Sequence, residues 1–526
     1  DAYKKDMTAG TYPDVRSGLQ KLLKDGLLLF NYTGHGGTTA LSDEKVLTQT
    51  DINQFTYTHL PVWVTATCDF TRFDDLNTSA GEDVFLNKSS GGIALFTTVR
   101  VAYSRPNFPI NDNVIRNLFE RNNGRRRTLG EVMQATKNTL SSVYKLGFCL
   151  IGDPAVKMAY PEFGMKVTTV NGQSVDGNSI SFKALEKITV EGEVLDASGQ
   201  LVTDFTGIVN PTVKDSKVTV TCLKNSNKDD SPAFTFTDYP NTIFIGNDSV
   251  RNGKFSFTFT VPKDISYSNL QGKMNLYAVD TESGNEAQGN FDNFIVGGTS
   301  DTAETDTIGP EIRALYLNDT TFVDGGQVNT TPYFVAELWD KSGVNITGSS
   351  VGHDMMLVID ESTVLSYNLN SYYELLPGED GTGIVKFPIP ALEPGKHTAE
   401  FWVWDILNNS TVRTFTFEVV EGLKPFLFDV IATPGIAREQ VTFHLMHNRP
   451  ESRMRVGIMV YDLAGRQLWK HEESGTSGLF ENYTVSWDLT SGGARMRPGV
   501  YIYRAAISTD NSKDATKARK FIILGE

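Results

Sequence analysis

Two residues of the chain could perform covalent chemistry, and each follows an apolar run. His35 ends the segment Gly-Leu-Leu-Leu-Phe-Asn-Tyr-Thr-Gly-His, which begins at Gly26. Cys68 ends the segment Pro-Val-Trp-Val-Thr-Ala-Thr-Cys, which begins at Pro61. A thiol with an imidazole beside it is the pair that nucleophilic cysteine catalysis requires. The pattern therefore predicts Cys68 as a nucleophile and His35 as its acid/base partner.

Each of these residues also has an ordinary structural interpretation. A cysteine at a strand end is commonly a small buried hydrophobic residue, and a histidine between glycines can simply belong to a turn. The pair is more specific than either residue alone. Gly36 and Gly37 remove side chains beside the imidazole, which leaves room for a substrate backbone and frees backbone N–H groups. The structural interpretation does not explain why both runs end on a reactive group.

The elements that must position this pair are predicted to form an α/β unit over residues 1–162. Both runs are apolar on both faces, which is typical of strands buried in a parallel sheet. Open α/β sheets place their chemistry where such strands end. The remaining elements predicted here are a helix over 12–24, a crossover over 43–57, a helix starting at the capping box Ser79-Ala-Gly-Glu82, a buried strand over 91–99, and helices over 111–121 and 128–144.

The predicted sheet lacks neighbours on one side, because few residues precede the His35 strand. A sheet that carries catalytic residues on two interior strands needs strands on both flanks. We therefore expect the chain to be the C-terminal portion of a longer protein. A missing N-terminal segment would supply strands and part of the pocket.

The pattern changes after residue 162 to short runs that alternate polar and apolar residues, split by Asn-Gly, Asp-Gly and Ser-Gly turns. This predicts all-β immunoglobulin-like sandwiches after the α/β portion, with a β-sandwich over 163–300, an immunoglobulin-like sandwich over 301–422 and a further sandwich-like domain over 423–526. The acidic, threonine-rich stretch 297–309 is predicted to be a linker.

Composition excludes several classes of protein. At 526 residues the chain should hold several domains, and its net charge of −15 argues against nucleic acid as a partner. No run approaches the roughly 20 apolar residues of a membrane helix, and residues 1–5 do not begin a signal peptide. Three cysteines are too few for a disulfide framework, and Cys149 and Cys222 are predicted to be core strand residues.

Neither a metal ion nor a cofactor is predicted. The seven histidines do not combine with Cys or Asp at zinc-ligand spacings, and Asp354, Asp360 and Asp380 lack the spacing of an EF-hand loop. The run 125–127, Arg-Arg-Arg, is predicted to be a solvated loop between helices. Asp74 and Asp75 have two open interpretations, since they could shape the pocket or only solvate their loop.

These motifs resemble gingipain-type cysteine peptidases, which are related to caspases. The resemblance is carried by the His-Gly and Ala-x-Cys strand ends, the Gly-Glu helix after Cys68, the Gly-Gly-Ile-Ala strand and the closing Leu-Ile-Gly-Asp-Pro. The final block resembles the C-terminal sorting domain of type IX secretion cargo, through Tyr-Asp-Leu-Ala-Gly-Arg, Pro-Gly-Val-Tyr and Lys-Phe-Ile-Ile-Leu.

The resemblance implies a sortase at the extracellular face of the outer membrane. It would remove sorting domains from cargo proteins and join the new C-termini to anionic lipopolysaccharide. Its implied roles are nucleophile for Cys68, acid/base for His35, and oxyanion donors for the N–H groups of Gly36 and Cys68. The implied membrane partner is an outer-membrane barrel protein such as PorV. The loop 69–75 departs from the family's glycine-containing loop, so the gingipain preference for Arg or Lys is not implied.

Two other functions remain open. The chain could be a secreted gingipain-like peptidase that is itself cargo, and then the mature protein would normally lose its sorting domain. It could instead be a non-enzymatic surface adhesin or scaffold, in which the sandwiches bind partners. Labelling of Cys68 but not of Cys149 by a small thiol reagent would argue against the scaffold.

Overall fold

The computed structural model describes residues 3–55, 57, 59–88, 90–122, 124–225, 232–301, 306–348, 352–376, 381–479, 481–509 and 512–524. The α/β unit lies at the N-terminal end of these ranges and is followed by β domains, which confirms the predicted fold class. The helices of the α/β unit are α1 Pro13–Asp25, α2 Gln49–Gln54, α3 Ala80–Leu86, α4 Ser104–Phe119 and α5 Leu129–Thr139. Its strands are β1 Leu29–Thr33, β2 Ala40–Leu41, β3 Leu47–Thr48, β4 Val62–Ala66, β5 Ala94–Thr98, β6 Arg121–Asn122, β7 Arg125–Arg126 and β8 Phe148–Ile151.

The central sheet of this unit has the strand order β1-β4-β5-β8 in the described residues. Strands β1, β4 and β5 are parallel, and β8 runs antiparallel to β5. Both faces of β4 and β5 are buried. Val62 and Val64 pack in one core cluster with α4 and α5, whereas Trp63 packs in a second cluster with residues of α1 and α3. This two-sided burial explains why β4 is continuously apolar.

The prediction for β1 is only partly confirmed. The strand forms and pairs in parallel with β4, but it is the edge strand of the described sheet. Asn31 and Thr33 are exposed, so the prediction that both faces of this run are buried is wrong. The polar residues at its end already belong to the strand and face solvent.

The predicted helices form with shifted ends. The capping box is present at α3, where Glu82 accepts from the Ser79 N–H over 2.8 Å and from its hydroxyl over 2.6 Å. The helix predicted for 111–121 begins earlier, at Ser104, and contains Pro109. The helix predicted for 128–144 ends at Thr139, and Val143–Gly147 forms a 3₁₀ helix instead.

The prediction that the arginine run is a solvated loop is wrong. Strands β6 and β7 form a hairpin whose arginines are paired with carboxylates and backbone carbonyls. Arg125 pairs with Glu131 over 2.7 Å, and Arg126 pairs with Glu162 over 2.9 Å while donating to the Tyr160 carbonyl over 2.8 Å. The run therefore ties α5 to the segment that leads into the first β domain.

The first β domain contains a sheet with the order β10-β9-β12-β18-β17-β13-β20-β21, in which β16 also pairs with β13, and a smaller sheet β11-β22-β19. The β9–β21 pairing closes the larger strand path. The strands are β9 Phe163–Val170, β10 Gln173–Ser174, β11 Ile180–Ala184, β12 Lys187–Leu195, β13 Gly207–Lys214, β14 Val218–Thr221, β15 Thr235–Asp238, β16 Thr242–Ile245, β17 Asp248–Arg251, β18 Lys254–Thr260, β19 Leu270–Gln271, β20 Lys273–Asp280, β21 Glu286–Phe291 and β22 Phe294–Thr299. Because β22 extends to Thr299, the predicted linker does not begin at residue 297; part of it, 302–305, lies outside the described residues.

The next domain packs the sheet β23-β25-β29-β28 against the sheet β24-β31-β30-β26-β27. Its strands are β23 Glu311–Leu317, β24 Gln327–Val328, β25 Tyr333–Trp339, β26 Met356–Ile359, β27 Ser366–Asn368, β28 Tyr373–Leu375, β29 Thr382–Pro388, β30 Gly395–Trp404 and β31 Ser410–Val419.

The last domain packs the sheet β32-β34-β37 against the sheet β33-β41-β40-β35-β36. Its strands are β32 Leu427–Thr433, β33 Ile436–Ala437, β34 Val441–His447, β35 Met454–Tyr461, β36 Gln467–Gly475, β37 Tyr483–Trp487, β38 Thr490–Ser491, β39 Ala494–Arg495, β40 Gly499–Ser508 and β41 Ala515–Ile523. Alternate residues of β40 enter its core, as expected for a strand with one buried face.

Candidate active site

The ends of β1 and β4 bring the two reactive residues to one edge of the sheet. Thr33 pairs with Ala66 in the parallel register, and His35 and Cys68 each lie two residues beyond this pair. The Gly34 N–H donates to the Ala66 carbonyl over 3.4 Å, so the pairing continues past the strand ends. Neighbouring strands are about 4.8 Å apart. The backbone segments that carry the imidazole and the thiol are therefore neighbours at the same edge.

The loop that carries His35 is held by hydrogen bonds to the carbonyl oxygen of this residue. The Tyr32 hydroxyl donates to it over 2.6 Å, and the Ser42 N–H donates to it over 2.8 Å. Burial raises the pKa of Tyr32 to about 12, so its hydroxyl stays protonated and can donate throughout the neutral range. The His35 side chain itself is exposed. A fixed backbone thus presents a solvent-accessible imidazole.

Gly36 lies against the strand end that carries the cysteine. A Cβ atom at this position would be 2.5 Å from the Thr67 Oγ1 atom, so only glycine lets the two loops approach this closely. Among the described residues, neither the Gly36 N–H nor the Cys68 N–H donates to a protein acceptor. Two N–H groups without partners beside a nucleophile can stabilise a developing oxyanion.

Cys68 is half-buried, and its thiol donates to the Ala102 carbonyl over 3.1 Å. The residue after it, Asp69, has a φ of 48°, in the left-handed region that non-glycine residues rarely adopt. Its N–H donates to the Arg100 carbonyl over 3.3 Å. The chain therefore turns sharply after Cys68, and the loop 99–103 after β5 contacts the thiol through the Ala102 carbonyl.

The aspartates of the loop after Cys68 are paired with arginines. Arg100 binds both carboxylate oxygens of Asp74, over 3.0 and 2.6 Å, and Arg72 lies 3.6 Å from Asp75. Hydrogen bonding to Arg100 lowers the pKa of Asp74. The sequence left the role of these aspartates open and did not identify Arg100, because no local signal links two loops that are 26 residues apart.

The prediction that the other two cysteines are core residues is wrong. Both are half-buried and free. Cys149 lies on the edge strand β8, where it pairs with Thr97, and Cys222 directly follows β14. Their apolar sequence context indicated a strand and not how deeply the strand is buried.

Acidic residues that the sequence did not single out come together in the second β domain. Carboxylate oxygens of Asp306, Asp340 and Asp405 lie within 4.8 Å of one another, close enough to share a cation. Burial raises the pKa of Asp340 to about 6. The three residues are far apart in sequence, so spacing could not predict the cluster. Of the aspartates weighed from the sequence, Asp354 and Asp360 are not in this cluster, and Asp380 lies outside the described residues.

Comparison with known proteins relates the α/β unit to a peptidase family. The model of the peptidase family C25 matches residues 1–159. The chain is similar to the protein in the crystal structure of dimeric latent PorU from Porphyromonas gingivalis, with 34% sequence identity. The alignment covers 98% of this chain and 47% of the PorU chain, with a TM-score of 0.34. The Arg-specific cysteine proteinase gingipain R is 19% identical. The alignment covers 53% of this chain and 56% of the gingipain chain, with a TM-score of 0.26. No curated protein matches the chain.

Residues 1–159 therefore match peptidase family C25. This confirms the resemblance that the motifs indicated. The chain spans about half the length of the PorU chain that it matches. The roles of Cys68, His35 and Gly36 stay predictions. In the described residues, no helix is long and apolar enough to span a membrane.

Proposed function

We propose that the chain carries the catalytic residues of a cysteine peptidase that cleaves sorting domains from exported cargo proteins and transfers the cargo to an acceptor. The observation that carries the proposal is the register of the two strand ends. His35 and Cys68 occupy equivalent positions beyond the Thr33–Ala66 pair, within a segment that matches a peptidase family. A scaffold would not require this match of a thiol and an imidazole.

The proposed reaction is acyl transfer through a thioester. The Cys68 sulfur attacks the scissile carbonyl carbon while its proton passes to His35, and the oxyanion accepts from the Gly36 and Cys68 N–H groups. The C–N bond then breaks, and protonated His35 gives its proton to the departing amine. In the second half, an acceptor amine attacks the thioester and loses its proton to His35. The C–S bond breaks, and the sulfur regains the proton; water in place of the amine gives hydrolysis.

The substrates and partners follow from the likeness of the final block to sorting domains. The proposed donors are cargo proteins that bear C-terminal sorting domains, and the proposed acceptor is an amine of anionic lipopolysaccharide. We place this reaction on the extracellular face of the outer membrane, where a PorV-like barrel protein would bind the enzyme. A segment upstream of residue 1 is proposed to complete the sheet beside β1.

The experiment combines purified protein with a sorting-domain cargo and a test amine, and the products are read by mass. We expect cleaved cargo, part of which carries the amine at its new C-terminus. Cys68→Ala should abolish both products, whereas Cys222→Ala, which changes a free cysteine of the first β domain, should retain them. Processing that continues in Cys68→Ala would refute the proposal, whereas wild-type protein that gives neither product would favour the scaffold.

A further inference from the structure

We propose that the substrate side chains next to the scissile bond are uncharged and apolar, and that they bind a surface beside Cys68 formed by Val101, Tyr103, Tyr144 and Leu146. We call this surface the apolar rim. The inference rests on the proposed peptidase function and names the class of substrate that it accepts.

The apolar rim is continuous with the nucleophile. Val101 and Tyr103 flank Ala102, whose carbonyl accepts from the Cys68 thiol over 3.1 Å. The Tyr103 ring packs edge-on against the Tyr144 ring, with 5.4 Å between their centroids. A substrate whose carbonyl reaches the sulfur would therefore lie beside the loop that carries Val101 and Tyr103.

The backbone joins the loop after β5 to the 3₁₀ helix at the other end of the rim. The Val99 N–H donates to the Gly147 carbonyl over 2.8 Å, which fixes the segment that carries Leu146 beside the loop. All four rim side chains are large and between 45% and 71% exposed. Exposed apolar side chains that are grouped in this way are typical of binding sites.

The charges near the thiol disfavour a basic substrate. The Asp74 carboxylate is fully engaged by Arg100 through two hydrogen bonds, and Asp75 faces Arg72. Asp69 also acts on Arg100, and both aspartates raise the pKa of its guanidinium, Asp74 most strongly. A substrate Arg or Lys would have to displace a protein arginine to reach a carboxylate of this loop, whereas an apolar side chain needs only to cover the rim.

The experiment measures how fast Cys68 of the full chain reacts with two peptidyl acyloxymethyl ketones that differ only in the residue before the reactive group, Leu or Arg. The adducts are read by mass. We expect the Leu probe to react at least tenfold faster. Val101→Ser and Tyr103→Ser should each slow the Leu probe several-fold and leave the Arg probe unchanged. Leu463→Ser, which changes an exposed leucine of the last domain, is the matched control and should change neither rate.

A charge variant tests the claim that the paired aspartates disfavour a basic substrate. Arg100→Gln frees the Asp74 carboxylate, so we expect faster reaction of the Arg probe in this variant. Iodoacetamide should alkylate Cys68 at the same rate in the rim variants and the wild type, which shows that the site is intact. A faster Arg probe in the wild type, or rim variants that leave the Leu probe unchanged, would overturn the inference and leave the peptidase proposal standing. Reaction with iodoacetamide but with neither peptidyl probe would refute the peptidase proposal and this inference together.

Discussion

Removing the Tyr32 hydroxyl tests whether the loop that carries His35 must be held in place. In the part of the chain that the structure describes, this hydroxyl is one of two donors to the His35 carbonyl, and the Ser42 N–H is the other. In Tyr32→Phe the carbonyl keeps the Ser42 donor, so the variant loses a single hydrogen bond, which is worth about 1 kcal/mol. If that free energy falls entirely on the transition state, kcat/KM decreases about fivefold.

The assay compares kcat/KM for an apolar fluorogenic peptide at pH 7 in Tyr32→Phe and in Tyr57→Phe. Tyr57 is a matched control because its hydroxyl donates to the Gly91 carbonyl over 2.8 Å, and burial raises its pKa to about 12, as for Tyr32. Both variants therefore lose one hydrogen bond from a protonated hydroxyl to a backbone carbonyl. Only Tyr32 acts on the catalytic loop, so only its variant should lose activity.

Two results would refute this reasoning. Equal losses of kcat/KM in both variants would show a general effect on stability, and an unchanged Tyr32→Phe would show that the Ser42 N–H suffices to hold the loop. The iodoacetamide rate of Cys68 serves as a second measurement. It should be unchanged in both variants, because neither hydroxyl contacts the thiol.

Three further outcomes are expected. Gly36→Ala should lower kcat/KM at least tenfold and cost about 1–3 kcal/mol of stability, because the added Cβ would be 2.5 Å from the Thr67 hydroxyl. Gly37→Ala is the control, because nothing lies within 4 Å of a Cβ added there. Equal activity in both variants would contradict the packing argument. Thr67→Val removes a buried hydroxyl that has no hydrogen-bond partner among the described residues, so urea unfolding should show stability that is unchanged or about 1 kcal/mol higher. A loss above about 1 kcal/mol would contradict this. The pKa of Asp340 is raised by burial to about 6, so the folded state holds the extra proton and stability should fall as pH rises from about 4 to 6, by at most about 3 kcal/mol. Asp340→Asn, measured in EDTA, should weaken that dependence and leave the part due to Asp405, whose pKa is also raised by burial. The Asn side-chain oxygen can still accept from the Ser342 and Gly343 N–H groups; an undiminished dependence would refute the assignment.

The sequence predicted the parts of the site that depend on local patterns. The apolar runs before His35 and Cys68 indicated parallel strands. Burial of both faces, which requires apolar residues on both, holds for β4 and not for the edge strand β1. Their common end then followed from the rule that parallel strands finish at one sheet edge. The capping box at Ser79 was equally local, since both partners lie within one turn of helix.

The parts that could not be predicted depend on contacts between distant segments. The Arg100–Asp74 pair and the Ala102 carbonyl on the Cys68 thiol join two loops that follow different strands. The edge position of β1 depends on which strands flank it, which its own residues do not encode. The cluster of Asp306, Asp340 and Asp405 forms only when segments of one sandwich that are far apart in sequence pack together.

The measurement that tests the central claim most directly is the mass of the acyl-enzyme after rapid acid quench of a cleavage reaction. The account predicts a thioester adduct on the peptide that contains Cys68. In His35→Ala, both this adduct and substrate turnover should be lost. An adduct on the peptides of Cys149 or Cys222, or continued cleavage in His35→Ala at the wild-type rate, would contradict it.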